Sequence, residues 1–396
     1  MHKPEDVVIV GATRTPQGRL KGQFASLTAV DLGAAAIAAA LERSGVPADR
    51  VDTVLMGQVL QAGAGQNPAR QSALKAGIPW NVPAMTLNKV CLSGLAAVVD
   101  AARLIRLGEA EVVVAGGQES MTNSPHVLMG SRNGWQYGSF EVLDTMDHDG
   151  LTDATDKISM GVLTETCNSS LNIDRPSQDH VSALSHQRAS KAQESGTFDA
   201  EVVPVEVPQR RGDSITVTTD EGVRPDTTAE SLAKLRPAFS KEGTITAGSS
   251  SQISDGAAAL VITSRAVAEG EGWPILAIIR ESGHVAGPDN SLQSQPANAI
   301  NDALKKADLQ VSDLDFVEIN EAFAAVVVQS AKELGLSLDQ VNINGGGISM
   351  GHPIGASGAR IAVHAAHELV RRGKGRAAVA LCGGGGQGEA LIIEAN

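Results

Sequence analysis

Asn88-Lys89-Val90-Cys91-Leu92-Ser93-Gly94-Leu95 is the stretch around which the chain is organised. A polar turn delivers one cysteine, and small and apolar residues follow through Ala96, Ala97, Val98 and Val99 to Leu104 and Ile105. The run is too long for a strand and apolar on nearly every face, so it reads as a helix buried all round, with Cys91 in its first turn. Unpaired N–H groups and the positive end of a helix dipole there would lower the thiol pKa. A buried structural cysteine is the plainer alternative, and Cys91 by itself favours it.

Outward from this helix the texture is that of a layered α/β protein. Val7–Val10, closed by Gly11, reads as a buried parallel strand, and a helix from about Thr28 to Arg43 stops at Gly45. A strand over Val51–Met56, a glycine-rich loop, a helix to Lys75 and an extended Pro83–Leu87 lead to the cysteine. Beyond the buried helix, Glu111–Ala115 is a strand ending at Gly116-Gly117. From about Gln118 to Gly248 the apolar runs shorten, and Gln178–Gln193 reads as a surface helix within an insertion lying over the first domain. A buried strand then returns over Ala258–Ile262.

The last third repeats the first. Asp315–Ile319 is a strand, Asn320 begins a helix to Leu334, and Val341–Asn344 is a strand before a glycine loop. Ser357-Gly358 opens a helix to Arg372, followed by a strand ending in Cys382-Gly383-Gly384. Ser93 lies 23 residues before Gly116 and Ser357 lies 26 before Gly383. The same loop, Ser-Gly, helix, strand, Gly-Gly order at near-equal spacing points to two related halves packed back to back.

Composition bounds the function. With 396 residues the chain exceeds one ordinary core. A net charge of −13 argues against nonspecific nucleic-acid binding, so an anionic ligand needs a local basic patch. Cys91, Cys167 and Cys382 are too scattered for a disulfide framework or zinc site. No signal-like or membrane-spanning run is seen, and a reducing cytoplasm is the expected compartment.

Three loops of the second half each present one reactive side chain. Asn320 stands in Asn320-Glu321-Ala322-Phe323-Ala324, where the plainer alternative is a helix N-cap, for which Asn is a preferred residue. His352, held between glycines in Gly351-His352-Pro353-Ile354-Gly355, is poor core filler and points to function. Cys382 stands before a run of glycines, which implies backbone open to a ligand.

With Gly65-Gln66-Asn67-Pro68-Ala69-Arg70, Leu235-Arg236-Pro237-Ala238-Phe239 and Asp255-Gly256-Ala257-Ala258, these four blocks resemble the thiolase family, in its acetyl-CoA acetyltransferase branch, from Val8 to Ile393. The resemblance implies an α/β, thiolase-like duplicated five-layered αβαβα core with an inserted loop domain. The expected division is 1–117 plus 249–273 for the N-terminal half, 118–248 for the insertion and 274–396 for the C-terminal half.

It implies that Cys91 attacks an acyl-CoA thioester, that His352 takes its proton, and that Cys382 removes the α-proton of a second acetyl-CoA. One oxyanion hole would come from His352 and a water held by Asn320, and the other from the N–H groups of Cys91 and Gly384. Arg224, Ser231, Leu235, Phe239 and Ser251 would bind CoA, and Met160 and Phe323 would line the acyl pocket. CoA is then substrate and product, no cofactor is bound permanently, and no nucleic-acid or membrane partner is implied. A homotetramer, a dimer of dimers held in part by Met121–Phe140, is the implied assembly.

Four positions depart from the branch: Ser159 for His, Ser249 for Asn, Leu92 for Gly and Gln387 for Met. The first two bear on acyl length and leave a broader-chain degradative 3-ketoacyl-CoA thiolase as the alternative. A decarboxylating ketoacyl synthase is disfavoured by Asn320 and Cys382, and a nonenzymatic CoA- or lipid-binding relative by the presence of all four reactive groups. Gly383, Gly385 and Gly388 match a dinucleotide fingerprint, but too few residues follow for its helix. His364 and His367 lack a carboxylate cluster and are expected to face solvent or an interface, and Cys167 is expected to be incidental.

Overall fold

A computed structural model describes residues 3–396. The strands that build the frame are β1 (Val7–Arg14), β2 (Thr53–Gly57), β3 (Ala84–Leu87), β4 (Val112–Ser120), β5 (Ser254–Ser264), β6 (Ala277–Ala286), β7 (Phe316–Ile319), β8 (Arg376–Gly383) and β9 (Gln387–Glu394). The helices are α1 (Ala29–Ser44), α2 (Pro68–Lys75), α3 (Ser93–Arg106), α4 (Met160–Leu171), α5 (Arg175–Glu194), α6 (Gln295–Ala307), α7 (Ala324–Leu334) and α8 (Ser357–Arg372). Helix ends follow local chemistry. Thr28 and Asp31 form a reciprocal capping box at the start of α1, and Gly45, at φ 69°, closes its end.

The strands pair in the order β7-β8-β9-β6-β1-β5-β4-β2-β3. Each half carries a parallel pair followed by antiparallel neighbours: β2 is parallel to β4, and β7 to β8. The halves join where Val7, Val8 and Ile9 meet Ile279, Ile278 and Ala277. Alternation along the strands explains their unbroken apolar runs, because both faces are covered. Val113 and Ala115 face one cluster with α3 and α8, while Val112 and Val114 face another with α1 and α2. In the second half Val379 and Leu381 face the helices α3 and α8, and Ala380 and Cys382 face the cluster built with α6 and α7. The result is the five-layered αβαβα sandwich, with α3 and α8 as its middle layer.

The repeated Ser-Gly has a packing cause. A Cβ at Gly94 would lie 2.8 Å from the Ala359 nitrogen, and one at Gly358 would collide with the Leu95 backbone. The two middle helices cross where neither carries a side chain.

Several local expectations are corrected. β1 is antiparallel to both neighbours and runs on through Gly11, where its register shifts. β4 continues past Gly116-Gly117 to Ser120, beyond the expected boundary at 117, because the residues pair in full with β5. Asn320 is not a helix cap: α7 starts at Ala324 with Phe323 at its N-cap. Val341–Asn344 is no strand and forms only the single bridge Val317–Val341. α3 begins at Ser93, two residues after Cys91.

The insertion straddles both halves rather than lying over the first. Val205 and Val207 pack with the α1 and α2 side, whereas Ile173, Val181 and Ile245 pack with the α6 and α7 side. α5 accordingly buries one face, including Gln178, Val181 and His186. Among the described residues no helix is long and apolar enough to cross a membrane.

Candidate active site

The turn before α3 is held in an unusual backbone shape. Val90 sits at φ 52°, a left-handed conformation unfavourable for a β-branched residue. The surrounding bonds impose it. The Val90 N–H donates to Asn88 Oδ1, and the Ser93 hydroxyl accepts from the Lys89 N–H while donating to the Val90 carbonyl, at 2.9, 2.8 and 2.6 Å. Lys89 Nζ, 3.0 Å from the buried carboxylate of Glu389, anchors the turn to β9 in the other half. Cys91 is thereby presented above the helix start, not within its first turn.

Cys91, His352, Cys382 and Gly384 line one cavity of about 390 Å³. Its walls include Met160, Phe239, Ser251 and Phe323, with Leu292 and Ile354 among the other apolar groups. Phe239 and Phe323 meet edge to face, with ring centroids 6.0 Å apart. A Cβ at Gly384 would make only ordinary contact, 3.4 Å from Val90 Cγ1, so packing does not demand glycine there. Gly386 differs, with φ 66° and no room for a side chain against the Asp289 carbonyl.

The residues that follow the insertion set the far wall. Ser251 N–H donates to the Ala322 carbonyl, Ala324 N–H to the Ser249 carbonyl, and His352 N–H to the Gln252 carbonyl. One segment thus aligns the Asn320 loop and the His352 loop. Asn320 Nδ2 lies 3.4 Å from both ring nitrogens of His352. Equal reach to both nitrogens sets the amide over the ring face, a positioning contact rather than a bond along a lone pair. His352 Nδ1 lies 2.5 Å from the Ser357 hydroxyl, which donates to the Pro353 carbonyl at 2.9 Å.

The electrostatics run against an ionised resting thiol. Burial pushes the Cys91 thiol up to about 12, opposed by the N–H groups of Cys91 and Gly384 and reinforced by the charge of Glu119. Part of Cys91 remains open to the cavity even though its thiol is enclosed. Burial likewise raises the Cys382 thiol, with Cys91 adding to the effect. It lowers His352 far below the ordinary imidazole value, with Arg360 contributing. The resting pair is therefore neutral thiol and neutral imidazole, which corrects the expectation of a thiol acidified by a helix start.

The expected CoA residues divide. Phe239 and Ser251 reach the cavity, while Arg224, Ser231 and Leu235 are exposed and lie outside its wall. Ser231 caps its own short helix with Thr228. Cys167 lies on α4 away from the cavity.

Three supporting residues were not read from the sequence. Glu119 accepts the N–H groups of Val59, Leu60 and Gly355. Ser357 was read only as half of a repeated pair, and Glu321 binds Ser185, Asn342 and the Ile348 N–H. A buried acid within an otherwise apolar or glycine-rich run was the available signal. His364 and His367 are buried, not solvent-facing, because α8 lies in the middle layer: His364 Nδ1 is 2.8 Å from Glu201 and His367 Nε2 is 2.8 Å from the Ala12 carbonyl.

Two family models match the chain, the thiolase N-terminal domain over residues 7–266 and the thiolase C-terminal domain over 273–395. A probable acetyl-CoA acetyltransferase of Mycolicibacterium smegmatis is 56% identical over 386 residues, covering 98% of this chain and 100% of that protein. An acetyl-CoA acetyltransferase of Cupriavidus necator is 48% identical, covering 98% of this chain and 99% of that protein. The crystal structure of the Bacillus anthracis acetyl-CoA acetyltransferase superposes with a TM-score of 0.96 at 42% identity, covering 99% of both chains.

Proposed function

The chain belongs to the thiolase family, and on that premise we propose that it is an acetyl-CoA C-acetyltransferase, an acyltransferase that joins two acetyl-CoA to give acetoacetyl-CoA and CoA, reversibly. The observation that carries this reading is the meeting of Cys91, His352, Cys382 and the Gly384 backbone on one apolar-walled cavity.

In the first half-reaction, His352 takes the Cys91 thiol proton as sulfur attacks the thioester carbonyl carbon. Because both groups rest neutral, the transfer accompanies attack. The carbonyl oxygen becomes an oxyanion, for which the N–H groups of Cys91 and Gly384 are suited donors, since both already favour negative charge at Cys91. Collapse breaks the carbon–sulfur bond, and CoA leaves with the proton from His352.

In the second, Cys382 passes its thiol proton to the neutral His352 and as thiolate removes the α-proton of a second acetyl-CoA, whose enolate oxygen is met by the protonated His352 and a water held by Asn320. The burial that raises the Cys382 thiol makes its thiolate a strong base. The carbanion attacks the acyl carbon, the Cys91 sulfur leaves and takes its proton from His352, and Cys382 keeps the α-proton as a thiol.

CoA approaches over the insertion, with Phe239 and Ser251 at the cavity and Arg224, Ser231 and Leu235 outside it. Met160 and Phe323 bound the acyl end, which favours short acyl groups. Ser159, also on the wall, favours the second reading, acceptance of longer 3-ketoacyl chains. A homotetramer is supported by the exposed Met129, Trp135, Tyr137 and Phe140, and a cytoplasmic place in fatty acid metabolism accords with the substrates.

The test is CoA-dependent cleavage of acetoacetyl-CoA beside a longer 3-ketoacyl-CoA, with Cys91→Ser and Cys382→Ser as controls. Preference for acetoacetyl-CoA, lost in both variants, is expected. Equal cleavage of the longer substrate favours the second reading, and no cleavage of either by the folded enzyme refutes both.

A further inference from the structure

α8 is buried on every side along most of its length, yet it carries a polar stripe, Ser357, Arg360, His364 and Glu368, at helical spacing. Most of the stripe is matched. Ser357 meets His352, His364 meets Glu201 and Asn344, and Glu368 meets Asn344, Arg371 and Arg372. Arg360 differs. It is 1% exposed, and its Nε and Nη1 have no hydrogen-bond partner among the described residues.

Glu318 on β7 is equally buried with neither oxygen partnered, and Asn320, two residues on and so on the same face of the chain, has a free Oδ1. Arg360 feels the charge of Glu318, and Glu318 those of His364 and then Arg360, although no ion pair within 4.0 Å joins Arg360 to Glu318. A buried guanidinium and a buried carboxyl without hydrogen-bonded partners are costly, and each offsets part of that cost for the other through its charge.

From this geometry we propose that α8 carries a positioning pair for His352: Ser357 holds the ring proton on Nδ1, and Arg360, one helical turn on and buried without a hydrogen-bonded partner for Nε and Nη1, sets a fixed positive charge beside the histidine loop. This rests on the reading of His352 as the proton acceptor. With its proton directed to the Pro353 carbonyl the hydroxyl accepts from Nδ1–H, and the proposal accordingly assigns the free lone pair to Nε2. A buried cation one turn from the hydroxyl that meets the ring opposes a second proton, which keeps Nε2 ready for the thiol proton.

Other ionisable groups around the ring are accounted for. Cys91 and Cys382 face it across the cavity, and Glu119 is held by three N–H groups including that of Gly355. Glu321 is satisfied by Ser185, Asn342 and Ile348, and Glu201 by Arg14 and His364. Asp255 accepts the Thr122 N–H. Arg360, which no carboxylate of the described residues meets within 4.0 Å, is the remaining cation.

The experiment is the pH profile of kcat/KM for acetoacetyl-CoA cleavage in wild type, Arg360→Gln, Arg360→Lys and Ser357→Ala, with His352→Asn as control and each fold checked by circular dichroism. Arg360→Gln should raise the acid limb by about one pH unit, and Arg360→Lys should restore it. Ser357→Ala should lower kcat about tenfold or more with KM within about twofold, the mark of a misplaced proton. A folded Arg360→Gln with an unmoved acid limb overturns the inference, as does a Ser357→Ala with wild-type kcat. If Arg360→Gln does not fold, Ser357→Ala decides. Retained activity in His352→Asn would instead refute the role of His352 itself.

Discussion

Oε2 of Glu119, near the end of β4, accepts the N–H of Gly355 in the loop after His352 at 2.9 Å. The same carboxylate takes the Val59 and Leu60 N–H groups at 2.9 and 3.1 Å, so one buried side chain joins the loop after β2 to the loop before α8. Glu119→Gln turns one acceptor into a donor facing an N–H. It should cost about 1–3 kcal/mol in urea unfolding and lower kcat by loosening the His352 loop. Burial holds the Glu119 carboxyl up at about 7 against an ordinary 4.5. Folding therefore favours its protonated form, and that contribution is full below the ordinary value and lost as pH rises to about 7. The stability gap between wild type and Glu119→Gln should narrow across this window, and a gap that widens would contradict the assignment.

The contact between α3 and α8 leaves no space at Gly358, where a Cβ would meet the Leu95 backbone. Backbone cannot swing aside as a side-chain tip can. Gly358→Ala should destabilise the fold by about 1–3 kcal/mol, measured as a lowered thermal midpoint, whereas Gly373→Ala, at the open end of α8, should cost less than this clash despite its positive φ.

Cys91 rests as a thiol, its pKa pushed to about 12 by burial. Since only the thiolate alkylates, the iodoacetamide rate at Cys91 should climb about tenfold per pH unit from neutrality through pH 9. Mass spectrometry of the labelled peptide reads it. A plateau near neutrality would mean a preformed thiolate.

Gly161, in the first turn of α4, lies against the ring of Phe239, and a Cβ there would overlap it. Gly161→Ala should displace the ring from the cavity wall and raise KM for CoA severalfold, with a smaller change in kcat. Steady-state cleavage of acetoacetyl-CoA at varied CoA checks this, and an unchanged KM would remove Phe239 from the CoA path.

Much of the frame was legible because its cause is local. Runs such as Val112–Ala115 and Ala377–Leu381 are apolar on both faces because both faces are covered, and glycines at Gly45 and Gly335 end helices through positive φ. The paired Ser93-Gly94 and Ser357-Gly358 told of duplication before any contact was known. The loops holding Cys91, Asn320, His352 and Cys382 stood out because reactive side chains beside glycine have little packing use.

Only the tertiary structure decided what these groups experience. Cys91 looked like a thiol made acidic by a helix start, but enclosure and the Glu119 charge leave it protonated. His364 and His367 were expected at solvent or an interface because no carboxylate cluster accompanies them, yet both sides of α8 are covered by strands from two halves of the chain. Acidity and burial depend on groups distant in sequence, and no local pattern records which of them arrive; the chain determined by itself which residues could react, and packing determined in what protonation state and against which partner.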